Sequence, residues 1–128
     1  MKRVIIESPL SGNFVLNIRY ARLCMLDSLQ RGEAPFASHL LYTQVWNDLD
    51  DQLRDEGMAA GQAWYPAADL CAVYIDLGIS GGMKAGIEAC KQCPGVIPVV
   101  ERCLGRERMS QFQSGQVSST ATPGACTW

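Results

Sequence analysis

Hydrophobic positions in this chain fall into two kinds of run, short ones without gaps and longer ones spaced three or four residues apart. Val4-Ile5-Ile6 is a β-branched run closed by Ser8-Pro9-Leu10-Ser11-Gly12-Asn13, which predicts a first strand over residues 2–7 followed by a turn-rich loop. From Phe14 to Arg31, Val15, Ile18, Ala21, Leu23, Met25, Leu26 and Leu29 recur at helical spacing, with Asn13 as N-cap and Gly32 as the stop. Residues 33–37 predict a short second strand, with Pro35 marking its start or an edge position, and Ser38 to Thr43 lead out of it as a loop. Leu49 to Trp64 is charged early and apolar late, a second helix weakened by Gly57 and Gly61. Leu70 to Ile75 is almost continuously apolar, the pattern of a strand buried on both faces. The loop Asp76 to Gly82 follows, then a third helix over Met83 to Lys91, a break at Pro94-Gly95, and a fourth strand over Val96 to Val100. No internal repeat is visible.

Strands alternating with helices predict an α/β fold: a three-layer sandwich around a parallel, flavodoxin-like sheet of four to five strands, in the order 2-1-3-4. The sequence divides into a domain over residues 1–105 and a polar tail over 106–128, expected to be flexible unless Phe112, Val117 or Trp128 anchors it.

Composition narrows the function classes. The chain is 48% hydrophobic and 19% charged, as ordinary globular domains are, and its net charge of -2 lacks the basic footprint that duplex nucleic acid requires. The apolar run before Glu7, Val4-Ile5-Ile6, is only three residues long, too short for a signal-peptide core or a membrane span, so no membrane partner and a cytoplasmic location are expected. Cys24, Cys71, Cys90, Cys93, Cys103 and Cys126 are read as reduced thiols, because most fall in apolar periodic segments. Cys90 and Cys93 have C-x-x-C spacing but end a helix where a redox pair would begin one. Neither a metal nor a cofactor is expected.

In open parallel sheets ligands bind beyond the carboxyl ends of the strands, where the strand order reverses. Three loops should meet there. Ser8, Pro9, Ser11, Gly12 and Asn13 bring small residues and backbone amides to the start of the first helix. His39, the only histidine, and Tyr42 follow the second strand and are expected to orient a ligand. Asp76, Gly78, Ser80, Gly81, Gly82, Met83 and Lys84 join a buried strand to a helix N-terminus suited to an anion or to sugar oxygens. This is not the dinucleotide fingerprint, and it follows the third strand rather than the first. Trp64-Tyr65 is a secondary candidate, for stacking a base or for capping the core.

Glu7-Ser8-Pro9 after a first strand, Asn17 and Tyr20 on the first helix, Ala37-Ser38-His39 after the second strand, and Asp76-Leu77-Gly78-Ile79-Ser80-Gly81-Gly82-Met83 together resemble the nucleoside 2-deoxyribosyltransferase-like superfamily, closest to its small phage and prophage members. The resemblance covers roughly residues 1–104 and implies a nucleoside, nucleotide or ADP-ribose-like ligand. It also implies a nucleophilic carboxylate on the helix after the third strand, at the position of Lys84 or, in related branches, of Gly86. Neither residue is acidic. Glu88 and Asp76 are the weak substitutes, Glu88 lying one turn, about 6 Å, beyond Lys84. Asp76 would then contact ribose, and Lys84 would favour a phosphorylated ligand.

The reading that follows is a protein that binds, and sequesters, an ADP-ribose-type or cyclic nucleotide signal, in a phage counter-defence role within the host cytoplasm. The alternative is an N-glycosidase or deoxyribosyltransferase. A homodimer or higher homo-oligomer is expected from the resemblance and from apolar Leu40, Leu41 and Trp46.

Overall fold

The computed structural model describes residues 1–45 and 50–114. It contains four strands, β1 (Arg3–Glu7), β2 (Ala34–Phe36), β3 (Leu70–Tyr74) and β4 (Val99–Arg102). The helices are α1 (Phe14–Gln30), α2 (Ser38–Leu41), α3 (Asp51–Gln62), α4 (Gly81–Gln92) and α5 (Arg106–Ser114), with 3-10 turns at Tyr42–Gln44 and Tyr65–Ala67. The strands form one parallel sheet in the order β2-β1-β3-β4, the flavodoxin-like α/β arrangement expected from the alternation.

Strand alternation assigns the two faces of the sheet. Val4 and Ile6 of β1, with Ala72 and Tyr74 of β3, pack against Tyr20, Leu23 and Cys24 of α1 and Phe112 of α5. Ile5 of β1, with Cys71 and Val73 of β3, packs on the other side against Met83 and Cys90 of α4, Tyr65 and Ile97. Glu7 has the parity of Ile5 and belongs to the α4 face. Ser8 has the parity of Ile6.

Helix α1 starts where Asn13 Oδ1 accepts the Leu16 amide at 3.2 Å and ends before Gly32, whose φ of +77° closes the turn. In α3, Gly61 allows the close approach of α2, since a methyl there would lie 2.6 Å from Ser38 Cβ. The glycine that lowers helix propensity is thus required by packing.

Three segments differ from the sequence expectation. Ser38–Leu41 forms a turn of helix rather than a loop, and the second helix begins at Asp51 behind its Asp50 cap. The fourth strand starts at Val99 because Val96 turns the chain with φ +42° and Pro98 has no amide to donate; Pro98 contributes only its carbonyl, to the Cys71 amide at 2.9 Å. Finally, residues 106–114 of the polar tail form α5 rather than a flexible segment, docked on α1 by Phe112, the anchor the sequence offered as the alternative, and by buried Arg108. Phe112 meets Tyr20 edge-on at 5.9 Å, and the Arg108 guanidinium lies 4.0 Å from the buried Asp27 carboxylate and bonds Gln30. Val117, Cys126, Trp128 and Trp46 lie outside the described residues.

Among the described residues no helix is long and apolar enough to cross a membrane and no cluster of metal-ligating side chains occurs. Cys24, Cys71, Cys90, Cys93 and Cys103 are free thiols.

Candidate functional site

A pocket opens at the carboxyl ends of β1 and β2, roofed by α3 and floored by the start of α4. Glu7, Ser8, Leu10 and Ser11 line it after β1, Ser38, His39, Tyr42 and Thr43 after β2, and Ser80, Gly82, Met83 and Gly86 from α4. Arg54, Gly57, Met58 and Gln62 of α3 and Tyr65 complete the wall.

Glu7 is the chemically distinctive group. It is 7% exposed, accepts a hydrogen bond from the Tyr65 hydroxyl, and its carboxyl occupies the space directly over Gly86. Any side chain at position 86 would overlap it. Burial raises the Glu7 carboxyl to about 7, and the Tyr65 hydrogen bond opposes that rise by favouring the charged form. Tyr65 is correspondingly pushed far up by its own burial and by the neighbouring carboxylate, so it stays a donor.

Beside Glu7, Ser8 Oγ and His39 Nε2 are 2.7 Å apart. Burial lowers His39 to about 4, so the imidazole is neutral near pH 7 and can accept from Ser8 or from a ligand hydroxyl. The α2 turn fixes this histidine: Thr43 Oγ1 donates to the His39 carbonyl at 2.8 Å. Trp64 Nε1 donates to the Tyr42 hydroxyl at 3.1 Å, while the Trp64 ring packs on Phe36 and is 56% exposed. Trp64 thus braces Tyr42, and Tyr65, its neighbour, meets the Glu7 carboxyl.

Of the sequence-selected residues, Ser8, Ser11, His39, Tyr42, Ser80, Gly82 and Met83 come together around the pocket. Pro9, Gly12, Asn13, Gly78, Gly81 and Lys84 are not among its walls. Asn13 is committed to capping α1, and Gly78 to a turn at φ +82°. Asp76 has the parity of Tyr74 and turns to the α1 face. There its carboxylate accepts from the Tyr20 hydroxyl at 2.6 Å and from the Leu104 amide at 3.1 Å, a role in joining α1 and the chain after β4 to the end of β3. Asn17 donates to the Leu10 and Ser11 carbonyls at 3.0 and 2.8 Å and so holds the first loop. Glu88 is exposed and bonds Gln92. Leu41 is exposed, whereas Leu40 packs against the core.

Sequence reasoning missed Glu7 as a site residue, although it was quoted in the resembling motif, and it missed Arg54, Met58 and Gln62 entirely. Two signals pointed to Glu7. A carboxylate ends an otherwise apolar strand on the parity of Ile5, and a glycine occupies an inward position of α4. Nothing local marked the α3 residues, because only the packing of α3 on α2 turns them over the pocket.

No curated protein and no solved structure matches the sequence. A family model described as a domain of unknown function, DUF7768, matches residues 2–99, which span all of the first three strands and helices α1 to α4. The chain therefore belongs to the DUF7768 family.

Proposed function

We propose that this protein cleaves or transfers the N-glycosidic bond of a nucleoside-type substrate, with Glu7 as the reacting carboxylate. The observation that carries the reading is the Glu7 carboxyl lying over Gly86 in a pocket at the strand ends. The resemblance to deoxyribosyltransferases leads one to expect a carboxylate on α4, and position 86 has none. A glutamate on β1 that reaches the space above Gly86 supplies the same functional group from the adjacent element.

With a value near 7, a substantial fraction of Glu7 is ionised at neutral pH. Its carboxylate oxygen forms a bond to the anomeric carbon as the carbon–nitrogen bond breaks. The electron pair leaves with the base, which takes a proton from solvent at the pocket mouth. Water, or the hydroxyl of an acceptor, then attacks the glycosyl ester and returns the carboxylate. Tyr65 orients the attacking carboxylate, and neutral His39 with Ser8 offers acceptors and donors to sugar hydroxyls.

The second reading, capture of a nucleotide-derived signal without cleavage, is favoured by the absence of an acid at both 84 and 86. One experiment separates the two. The protein is incubated with nucleosides, nucleotides, NAD, ADP-ribose and cyclic nucleotides, and the products are followed by mass spectrometry. Free base appearing with wild type and not with Glu7→Gln is the expected result; stabilisation by a ligand recovered intact would replace cleavage with sequestration. A homodimer, with exposed Leu41 available to it, is the assembly this reading expects, and a monomeric sedimentation profile would refute that part.

A further inference from the structure

Helix α3 turns Arg54, Met58 and Gln62 toward the pocket, and their spacing of four residues sets them in one stripe along the helix. Its acidic residues Asp51, Asp55 and Glu56 are absent from the pocket wall. Among the described residues no ion pair engages the Arg54 guanidinium. Arg54 is also the only lysine or arginine among the described residues lining the pocket. His39 is held neutral by burial and Glu7, the acidic residue of the lining, is raised to about 7, so Arg54 is the one fully charged side chain among the described residues of the pocket wall.

The stripe has a direction. Gln62 lies three residues before Tyr65, whose hydroxyl meets Glu7, whereas Arg54 lies two turns earlier, about 12 Å along the helix from Gln62. Along α3, Met58 supplies apolar surface between Arg54 and the end of the helix that leads to Tyr65. The sequence had assigned phosphate to Lys84, but Lys84 is exposed and is not part of the wall.

We propose that Arg54 binds a phosphate of the ligand, so that the pocket takes nucleoside 5′-monophosphates in preference to the corresponding nucleosides. The naming of the nucleoside portion rests on the N-glycosidic reading; the phosphate preference is a property of binding and does not require cleavage. A guanidinium offers paired donors to phosphate oxygens.

The test uses the full chain carrying Glu7→Gln, so that nothing turns over, titrated calorimetrically with ribo- and deoxynucleoside 5′-monophosphates and with the matching nucleosides. The best monophosphate is expected to bind roughly 10- to 100-fold more tightly than its nucleoside, the range of a charge-assisted contact. Adding Arg54→Gln should bring that ratio close to one, and Arg54→Lys should keep part of it. A ratio near one before Arg54 is changed, or a ratio that Arg54→Gln leaves intact, overturns the proposal. Base release by wild type is scored separately. A phosphate preference without base release removes the glycosidase and leaves Arg54 standing, and base release without the preference does the reverse.

Discussion

Replacing Glu7 with glutamine should make the protein more stable at alkaline pH while abolishing the base release proposed above. The carboxyl moves from an ordinary value of 4.5 to about 7 on folding, and each pH unit of such displacement is worth about 1.4 kcal/mol. The sign follows from which state holds the proton. Below pH 4.5 folded and unfolded chains are both protonated at Glu7, and no penalty arises. Between 4.5 and 7 the unfolded chain releases its proton while the folded chain keeps it, so stability falls as pH rises. Above 7 the full penalty, about 3 kcal/mol, is present because a charge is then held in a buried site. Glutamine does not titrate and still offers Tyr65 an acceptor. The variant should therefore gain about 3 kcal/mol over wild type at pH 8, on the order of 10 °C in Tm for a chain of this size, and little at pH 4.5. Urea unfolding of both proteins at pH 5, 6, 7 and 8 measures the difference directly, and contributions from other groups cancel in it. A difference that does not grow with pH, or a variant less stable at pH 8, would refute the assignment of Glu7 as a buried carboxyl whose ionisation opposes folding.

His39 should produce the opposite slope. Its value falls from 6.5 to about 4 on folding, so wild type loses stability as pH drops through that window, and His39→Gln should gain relative to wild type between pH 7 and 4, by up to about 3 kcal/mol. A pH-independent difference in urea midpoints would count against this. Asp76→Ala leaves the Tyr20 hydroxyl and the Leu104 amide without their acceptor, which should cost about 3 kcal/mol of stability; because Asp76 faces away from the pocket, ligand titration of the folded variant at low temperature should give an affinity close to wild type. Gly86→Ala should displace the Glu7 carboxyl and eliminate the proposed base release, and the stability cost of Gly86→Ala should shrink when Glu7→Ala is also present, since the truncated side chain vacates the space. Additive costs in that double-mutant cycle would mean that the two residues do not share it.

The alternation of apolar runs was enough to give the fold class of this chain. Short gapless apolar runs bounded by turn residues read as buried strands and helical spacing between them as right-handed crossovers; several strand orders satisfy that handedness, and the assembled sheet adopts 2-1-3-4. The Asn13 cap and the Gly32 stop were legible for the same reason, because each is a local backbone requirement. The loops after β1, β2 and β3 were rightly expected at one end of the sheet, but which side chains face a common space is not a local property. Glu7 and Asp76 both follow apolar strands, yet one turns to α4 and the other to α1, and their partners Tyr65, Tyr20 and Leu104 are 58, 56 and 28 residues away in the chain. Only the parity of each strand within the assembled sheet separates the buried carboxyl at the pocket floor from the carboxylate that ties the core together. The same holds for the polar tail. Composition argues for disorder over residues 106–114, but Phe112 and Arg108 find an apolar ring and a buried carboxylate on α1 that no local pattern reveals. Sequence determined the four strands and the long helices between them, because those depend on spacing along the chain; tertiary structure decided α2, α5 and the site, because each is made by residues that only packing brings together.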